Sequence, residues 1–233
     1  MKLDYPIRLQ SFLAKSGFGS RRSCEELIVQ GRVKVNGKVC SVLGSRVEED
    51  DAVYVDGVIA EPSDRFYYYA LHKPVGYVCS NYDPNEDRFA VDLIDVPQNN
   101  LLFHIGRLDK DSSGLILYTN DGELANKVMH PSHQVEKEYM VQTDVPIQRK
   151  DLDQALKGNV PPYTIKSYEL ITKRWVKIIL TEGKNREVRN LLGILGYNVI
   201  KLVRTRIGGV ELGKMPVGRY RPLTKSEITS LSE

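Results

Sequence analysis

Residues 106–122, GRLDKDSSGLILYTNDG, join a carboxylate-rich loop to a strand-like run and a closing turn. Two chemistries compete for Asp109 in this loop. In one, Asp109, Asp111 and Ser113 stand at positions 1, 3 and 5 of an EF-hand calcium loop, with Gly114 at position 6. In the other, Asp109 lies in a tight turn that joins two parts of a sheet, which the neighbouring glycines permit.

The calcium interpretation fails on two counts. Position 12, which needs a bidentate Glu, is Asn120, and the flanking runs LLFHI and LILYT are strand-like where an EF-hand has helices. In the sheet interpretation Asp109 is either a reactive carboxylate at the rim of a cleft or a residue that caps a turn and pairs with Arg107. His130 and His133 lack the neighbouring ligands of a metal site, and no metal is predicted.

Strand-like and helical runs follow one another irregularly after Phe66. The strand-like runs are FYYYAL, GYVCS, LILYT, KEYMVQT and WVKIILT, and the helical ones are GELANKVM, PIQRKDLDQALK and KNREVRNLLGILG. This order does not fit a doubly wound parallel sheet, and FYYYAL and GYVCS are close enough to pair as antiparallel strands. The predicted fold class is α+β, on a mixed, largely antiparallel sheet, with Asp121 capping the helix that begins at Gly122.

The first fifth of the chain is basic, although the net charge of the whole is only +3. Residues 8–46 contain eight Lys or Arg and two Glu. The pattern predicts two short helices, the second capped by Ser20, then a hairpin turn at Asn36-Gly37 and a further strand near AVYVDGVIA. Such a patch is typical of a nucleic-acid binder, with a solvated surface as the alternative. We place this small domain at 1–60, a linker at 61–66 and a second domain at 67–233.

Composition predicts a globular cytoplasmic protein. The 233 residues are 41% apolar, enough for a buried core, and we find neither a signal-peptide pattern nor a run of about 18 apolar residues. The three cysteines show no metal-binding or disulfide spacing and are expected to be reduced thiols. The sequence also lacks a phosphate-cradling glycine loop and a dinucleotide-binding motif.

Four further motifs accompany the stretch 106–122: HKPVGYVCS (72–80), KEYMV (137–141), EGKNREVRNLL (182–192) and LVRTRIGGVELG (202–213). In this order they resemble the pseudouridine synthase superfamily, and in particular its RsuA/RluB/RluF branch. The basic segment LQSFLAKSGFGSRRSCEELIVQGRVKVNGKVC is similar to the RNA-binding domain named after small-subunit ribosomal protein S-four, which precedes the catalytic domain in this branch. The resemblance covers nearly the whole chain.

The resemblance implies that Asp109 is the catalytic carboxylate. It also implies that Tyr139 supplies an aromatic ring beside the target base and that Arg189 pairs with Asp109. Without the resemblance, Tyr139 is a core tyrosine, since it alternates with Val141 and Thr143 on one strand face. The predicted RNA-binding residues, with a solvated helix face as the alternative for the last two, are Arg21, Arg22, Arg32, Lys34, Lys73, Arg107, Lys184 and Arg186.

The implied activity is that of a ribosomal RNA pseudouridine synthase. Such an isomerase breaks the bond from ribose to a ring nitrogen of uridine and reforms it to a ring carbon, and the expected enzyme needs no cofactor. The expected partner of this monomer is ribosomal RNA or a ribosomal subunit precursor. The absence of a long basic tail after Glu233 favours a small-subunit target. The alternative is a non-catalytic RNA-binding or ribosome-assembly protein that kept the fold.

Overall fold

The computed structural model describes residues 3–232. The chain divides into two compact units. The small unit comprises the residues up to Tyr67 together with Val96–Leu102, and the large unit comprises Tyr68–Asp95 together with the residues from Phe103 onward. The domain limits at 60 and 67 and the linker at 61–66 remain predictions.

In the small unit, two helices pack against short strands around an apolar core. The helices are α1 (Leu9–Lys15) and α2 (Arg21–Val29), and the strands are β1 (Ile7–Arg8), β2 (Val33–Val35), β3 (Lys38–Val39), β4 (Arg46–Val47), β5 (Val53–Val55) and β6 (Val58–Ile59). β1 pairs with β4, and the other strands form a sheet of order β3-β2-β5-β6. Leu9, Leu13 and Ile28 from the helices meet Val33 and Val47 from the strands in this core.

Local signals explain most of the small unit. Ser20 caps α2, as predicted, because its side chain accepts a hydrogen bond from the N–H of Ser23 at 3.1 Å. Asn36 and Gly37 have the left-handed backbone of the predicted hairpin turn, with φ of 50° and 80°. The single strand predicted near AVYVDGVIA is wrong: this run is the β5–β6 hairpin, because Asp56-Gly57 makes a second turn of the same kind.

The large unit is built on one mixed sheet, which confirms the predicted α+β class. Its strands are β7 (Tyr68–Lys73), β8 (Phe103–Ile105), β9 (Ser113–Thr119), β10 (Lys137–Thr143), β11 (Ser167–Leu170), β12 (Trp175–Leu180), β13 (Val199–Ile207), β14 (Val210–Glu211) and β15 (Tyr220–Pro222). Their order is β11-β12-β10-β13-β9-β7-β15, with β8 paired to β9 and β14 to β13. β9 and β13 run parallel at the centre, whereas the other pairs are antiparallel.

Four α-helices accompany this sheet within the described part of the chain: α3 (Gly122–Met129), α4 (Arg149–Leu156), α5 (Glu187–Ile194) and α6 (Lys225–Ser232). Asp121 caps α3, as predicted, by accepting hydrogen bonds from the N–H groups of Glu123 and Leu124. Apolar residues of α3 and α6 pack with β9, whose seven residues are all buried. Across residues 3–232, we find no helix that is both long and apolar enough to span a membrane.

The predicted pairing of FYYYAL with GYVCS is wrong. β7 pairs instead with β9 on one side and β15 on the other. Pro74 ends the strand, and Gly76, at φ 89°, turns the chain away from it. Beyond that turn, Val78 makes an isolated bridge to Phe89 outside the named strands.

Candidate active site

Asp109 lies in a tight loop between β8 and β9. Gly106 and Gly114 both have left-handed backbones, with φ of 73° and 113°, which other residues rarely adopt. A Cβ atom at Gly114 would also stand 2.3 Å from the carbonyl oxygen of Arg204 on β13, so this close approach requires glycine. The Ser112 N–H donates to the Asp109 carbonyl at 3.0 Å. The loop leaves the Asp109 side chain 30% exposed.

The surroundings of this loop exclude an EF-hand. Strands β8 and β9 flank it, whereas an EF-hand has a helix on each side. Within residues 3–232, no group of three or more His, Cys, Asp or Glu side chains is placed to hold a metal ion.

Two arginines at the start of α5 contact the loop carboxylates. Arg186 Nη1 lies 3.5 Å from Asp109 Oδ2, and the same guanidinium donates to both oxygens of Asp111, at 3.0 and 3.3 Å. Arg189 Nε lies 3.4 Å from Asp111 Oδ2, and its Nη2 donates to the Asp111 carbonyl at 3.0 Å. Partial burial raises the pKa of Asp111, but these guanidinium groups more than offset it and hold the pKa below its usual value.

The predicted pairing of Arg189 with Asp109 is therefore wrong. Arg189 binds Asp111, and Arg186, predicted to meet phosphates, is the arginine beside Asp109. Arg186 is the residue that precedes the first turn of α5, where its φ of 49° bends the chain sharply. Arg189 lies three residues further on, and residues with this spacing share a helix face, so both side chains reach the same loop.

Lys73 is not an RNA contact, contrary to the prediction. Its side chain, at the end of β7, is fully buried and donates to the carbonyls of Pro74 at 2.9 Å and Ser112 at 2.8 Å. Burial lowers the pKa of Lys73, while the nearby Cys79, Asp109 and Asp111 oppose that shift. Lys73 therefore supports the Asp109 loop from inside the protein.

Arg204 is a second buried support, one that the sequence analysis missed. It is 2% exposed, and it donates from Nε to the Leu115 carbonyl at 2.7 Å and from Nη1 to the Arg107 carbonyl at 3.2 Å. The signal that could have identified it is the alternation along β13, which places Arg204 in phase with the buried Leu202. The guanidinium thereby connects β13 and β9 to the loop that carries Asp109.

Tyr139 lies on β10, directly opposite Arg204 on the neighbouring β13. Its side chain is buried and belongs to the same face of β10 as Val141 and Thr143. Directly opposite residues of an antiparallel pair project to the same side of the sheet, so the Tyr139 ring is on the side where Arg204 supports the loop. This position is compatible with a core tyrosine and with a ring beside a bound base, and the role of Tyr139 remains a prediction.

The other predicted RNA-binding residues are all exposed, but some have protein partners. Lys184 pairs with Glu182 at 2.6 Å, and Arg32 pairs with Asp56 in the small unit. Arg107 is exposed within the Asp109 loop itself. The remaining exposed cations of this set are Arg21, Arg22 and Lys34.

Comparison with known proteins connects this arrangement to a reaction. The family model for RNA pseudouridylate synthase matches residues 67–193, which is more than half of the chain. The chain belongs to this family. It is therefore an isomerase that acts on RNA, and a model of the S4 domain matches residues 7–53.

Similar proteins match nearly the whole length of this pseudouridine synthase. A Mycobacterium leprae protein named as an uncharacterized RNA pseudouridine synthase is 42% identical, over 97% of this chain and 92% of its own. The ribosomal large subunit pseudouridine synthase B of Bacillus subtilis is 37% identical, over 96% of this chain and 95% of its own. A crystal structure of a pseudouridylate synthase is 30% identical, with a TM-score of 0.70 and coverage of 97% and 99%.

Proposed function

We propose that this enzyme converts uridine to pseudouridine in ribosomal RNA, with Asp109 as the catalytic carboxylate. One observation carries the proposal: buried donors of Lys73 and Arg204 fasten the backbone around Asp109, while its carboxylate stays 30% exposed beside Arg186. A carboxylate on a fixed backbone is oriented before substrate arrives, and its exposed oxygen can meet a substrate atom.

The chemistry requires only groups that this chain supplies. The bond between the ribose and N1 of uracil breaks, a bond to C5 forms, the C5 proton leaves and N1 gains a proton. Redox state is unchanged and no water is consumed. Three routes are open to Asp109: attack on the anomeric carbon, addition to the uracil ring, or a path through a glycal. In each of them Arg186 supplies a positive charge next to the reacting carboxylate.

The target uridine must leave its base stack to reach such a site. Flipping a base costs a few kcal/mol, and less where the base is already unpaired, so a loop in folded RNA is the favoured substrate. We assign to Tyr139 the ring beside the flipped base and assistance in moving the C5 proton. Its support is its place opposite Arg204 on the loop side of the sheet.

We further propose that the substrate is the RNA of the large ribosomal subunit. The support is the name of the Bacillus subtilis relative, ribosomal large subunit pseudouridine synthase B, which matches 96% of this chain. The small-subunit target predicted from the sequence has no comparable support among the relatives reported above. The experiment below distinguishes the two.

The proposed setting is a monomer in the cytoplasm. Asp109, Arg186 and Tyr139 all come from one chain, so a second copy is not needed to complete the site. Cys24, Cys40 and Cys79 are free thiols, as is typical of proteins in a reducing compartment.

Mapping pseudouridine in both ribosomal RNAs tests this proposal. Cells that lack the gene are expected to lose pseudouridine at one site of large-subunit RNA, and the wild-type gene, but not one encoding Asp109→Asn, is expected to restore it. A lost site in small-subunit RNA would redirect the proposal to that subunit. Identical maps with and without the gene would favour the alternative, a non-catalytic RNA-binding or assembly protein.

A further inference from the structure

The segment 74–89, which we call the brace, is fastened to residues on both sides of Asp109. The Gly76 N–H donates to the Lys110 carbonyl at 2.7 Å. The Cys79 thiol donates to the Leu108 carbonyl at 3.2 Å and accepts from the Leu108 N–H at 3.3 Å. Whatever the brace binds is thus held at a fixed place relative to Asp109.

A further contact fixes the distal part of the brace. Lys110 Nζ pairs with Glu86 Oε2 at 2.5 Å, so the residue that follows Asp109 holds the brace a second time, beyond its tip. Val78 and Phe89, near its two ends, form a bridge that closes the intervening residues into a loop. The tip is therefore attached on both sides.

This tip presents Tyr82, which is 78% exposed, more than any other large apolar or aromatic residue in the described part of the chain. The backbone beneath the ring is ordered by Ser80, whose Oγ donates to the Tyr82 carbonyl at 2.6 Å and accepts from its N–H at 3.2 Å. The side-chain oxygen of Asp83 extends the turn by accepting from the Asn85 N–H at 2.9 Å. An aromatic ring is thus exposed to solvent on an ordered turn and does not contribute to the hydrophobic core.

The charge around Tyr82 indicates which part of an RNA it can meet. Asp83, Glu86 and Asp87 are opposed within residues 81–88 by Arg88 alone, and Lys110 neutralises Glu86. The tip therefore has no excess positive charge with which to attract phosphates. A tyrosine ring, in contrast, stacks on any unpaired base, and this interaction depends little on the backbone charge.

We propose that Tyr82 stacks on an unpaired base of the substrate RNA, a few nucleotides from the target uridine. The proposal rests on the proposed function, since it takes Asp109 as the place where the uridine is bound. Tyr82 lies three positions after Cys79 in the chain, a distance of at most about 11 Å. This is roughly the length of three stacked nucleotides at about 3.4 Å each. The brace thereby selects a sequence or loop shape next to the modified base.

Binding in the Asp109→Asn background tests the proposal without turnover. The probe is unmodified large-subunit ribosomal RNA made by transcription, then the shortest fragment that retains full affinity. Tyr82→Ala is expected to weaken binding about tenfold, whereas Tyr82→Phe, which keeps the ring, is expected to bind like the parent. Ile200→Ala, which truncates a side chain that is 60% exposed on β13, is the control and should leave affinity unchanged.

Two further readouts distinguish stacking from other roles. The dependence of affinity on salt is expected to be the same for Tyr82→Ala and its parent, because no phosphate contact is lost. Abasic replacement of one nucleotide in the fragment should lower the RNA affinity of the parent to that of Tyr82→Ala. Equal affinity of Tyr82→Ala and the parent, a smaller salt slope, or no such nucleotide would overturn the proposal.

An effect of Tyr82→Ala seen only on ribosomal particles, and not on free RNA, would also overturn it and would indicate a protein partner. Failure of the proposed function is read separately, from the pseudouridine map. Suppose that Tyr82→Ala loses affinity but the pseudouridine maps of cells with and without the gene are identical. Tyr82 would then be a stacking residue of a protein that binds the RNA without modifying it.

Discussion

Cations are used in opposite ways in two regions of this enzyme. Beneath the Asp109 loop, Lys73 and Arg204 are 0% and 2% exposed and donate to carbonyl oxygens of the loop and its flanking strand. On α2 of the small unit, Arg21 and Arg22 are exposed at the first turn of the helix. The first set shapes the protein, whereas the second is exposed, and we propose that it meets phosphates.

Burial, and not residue type, distinguishes the two sets of cations in this enzyme. A buried charge is expensive unless polar groups surround it, and carbonyl dipoles serve this purpose for Lys73 and Arg204. An exposed cation has no such requirement and can exchange its water for a phosphate. Substitutions in the two sets should therefore change different measured properties, and by different amounts.

Among the cations, the largest effect is expected at Arg204. Arg204→Met removes the donors to the Leu115 and Arg107 carbonyls, and a shift of the loop by about 1 Å can lower kcat about 100-fold. The unfolding free energy should fall by about 1–3 kcal/mol, since buried acceptors lose a partner. The control is Arg206→Met, two residues further along β13, whose guanidinium pairs with Glu136 at 2.9 Å. Equal kcat values for the two variants, measured under single-turnover conditions, would mean that Arg204 has no special part in positioning the Asp109 loop.

A smaller effect is expected for Arg21→Gln combined with Arg22→Gln. Each lost phosphate contact lowers the slope of log affinity against log salt by about 0.7–0.9, so the pair should lower it by roughly 1.5 and leave kcat at saturating RNA unchanged. Arg149 and Lys150, an exposed pair in the first turn of α4 in the large unit, form the matched control. If both double variants change the slope equally, the small unit has no special part in binding the backbone.

How far the sequence predicts this molecule depends on the range of the interactions involved. Caps and turns such as Ser20, Asn36-Gly37 and Asp121 were predictable, because the residue and its partners are neighbours in the chain. The α+β class followed from the irregular order of the runs. The hairpin proposed for residues 66–80 was wrong because the strand that pairs with β7 comes much later, at β9.

The active site shows the same difference between local interactions and those between distant parts of the chain. The loop of Asp109 and its glycines could be identified from the local motif, but the partners of the carboxylates could not. Arg186, and not Arg189, lies beside Asp109 because the backbone bends before α5. The sequence gives no sign that an arginine adopts the left-handed backbone conformation there. Lys73 and Arg204 could have been identified as buried from strand alternation. The charge of Lys73 suggested an RNA contact instead, and Arg204 was given no role.

The smallest effect on function is expected at a third kind of cation, which neither shapes the loop nor is exposed on α2. Hydrogen bonds from Arg221, with smaller contributions from Thr224, lower the pKa of Glu227 from its ordinary 4.5 to about 2, against the opposing effect of partial burial. A carboxyl whose folded pKa is depressed stabilises the protein above its unfolded pKa, and this contribution is lost as pH falls from about 4.5 to about 2.

Glu227→Gln should therefore lower the unfolding free energy by about 1–2 kcal/mol at pH 7, an estimate reduced for the partial exposure of Arg221. The difference from wild type should shrink as the pH of urea denaturation is lowered towards 3, and kcat should not change. A difference independent of pH would mean that the ion pair does not cause the shift.

The most direct test of the account compares two carboxylates of one loop. Asp109→Asn and Asp111→Asn remove the same charge two residues apart, and both side chains contact Arg186. Pseudouridine formation on the ribosomal RNA fragment is measured at saturating enzyme in a single turnover. The account predicts no product from Asp109→Asn, with RNA affinity within a few fold of wild type, and substantial product from Asp111→Asn. Product from Asp109→Asn, or equal loss in both variants, would contradict the assignment of the chemistry to Asp109.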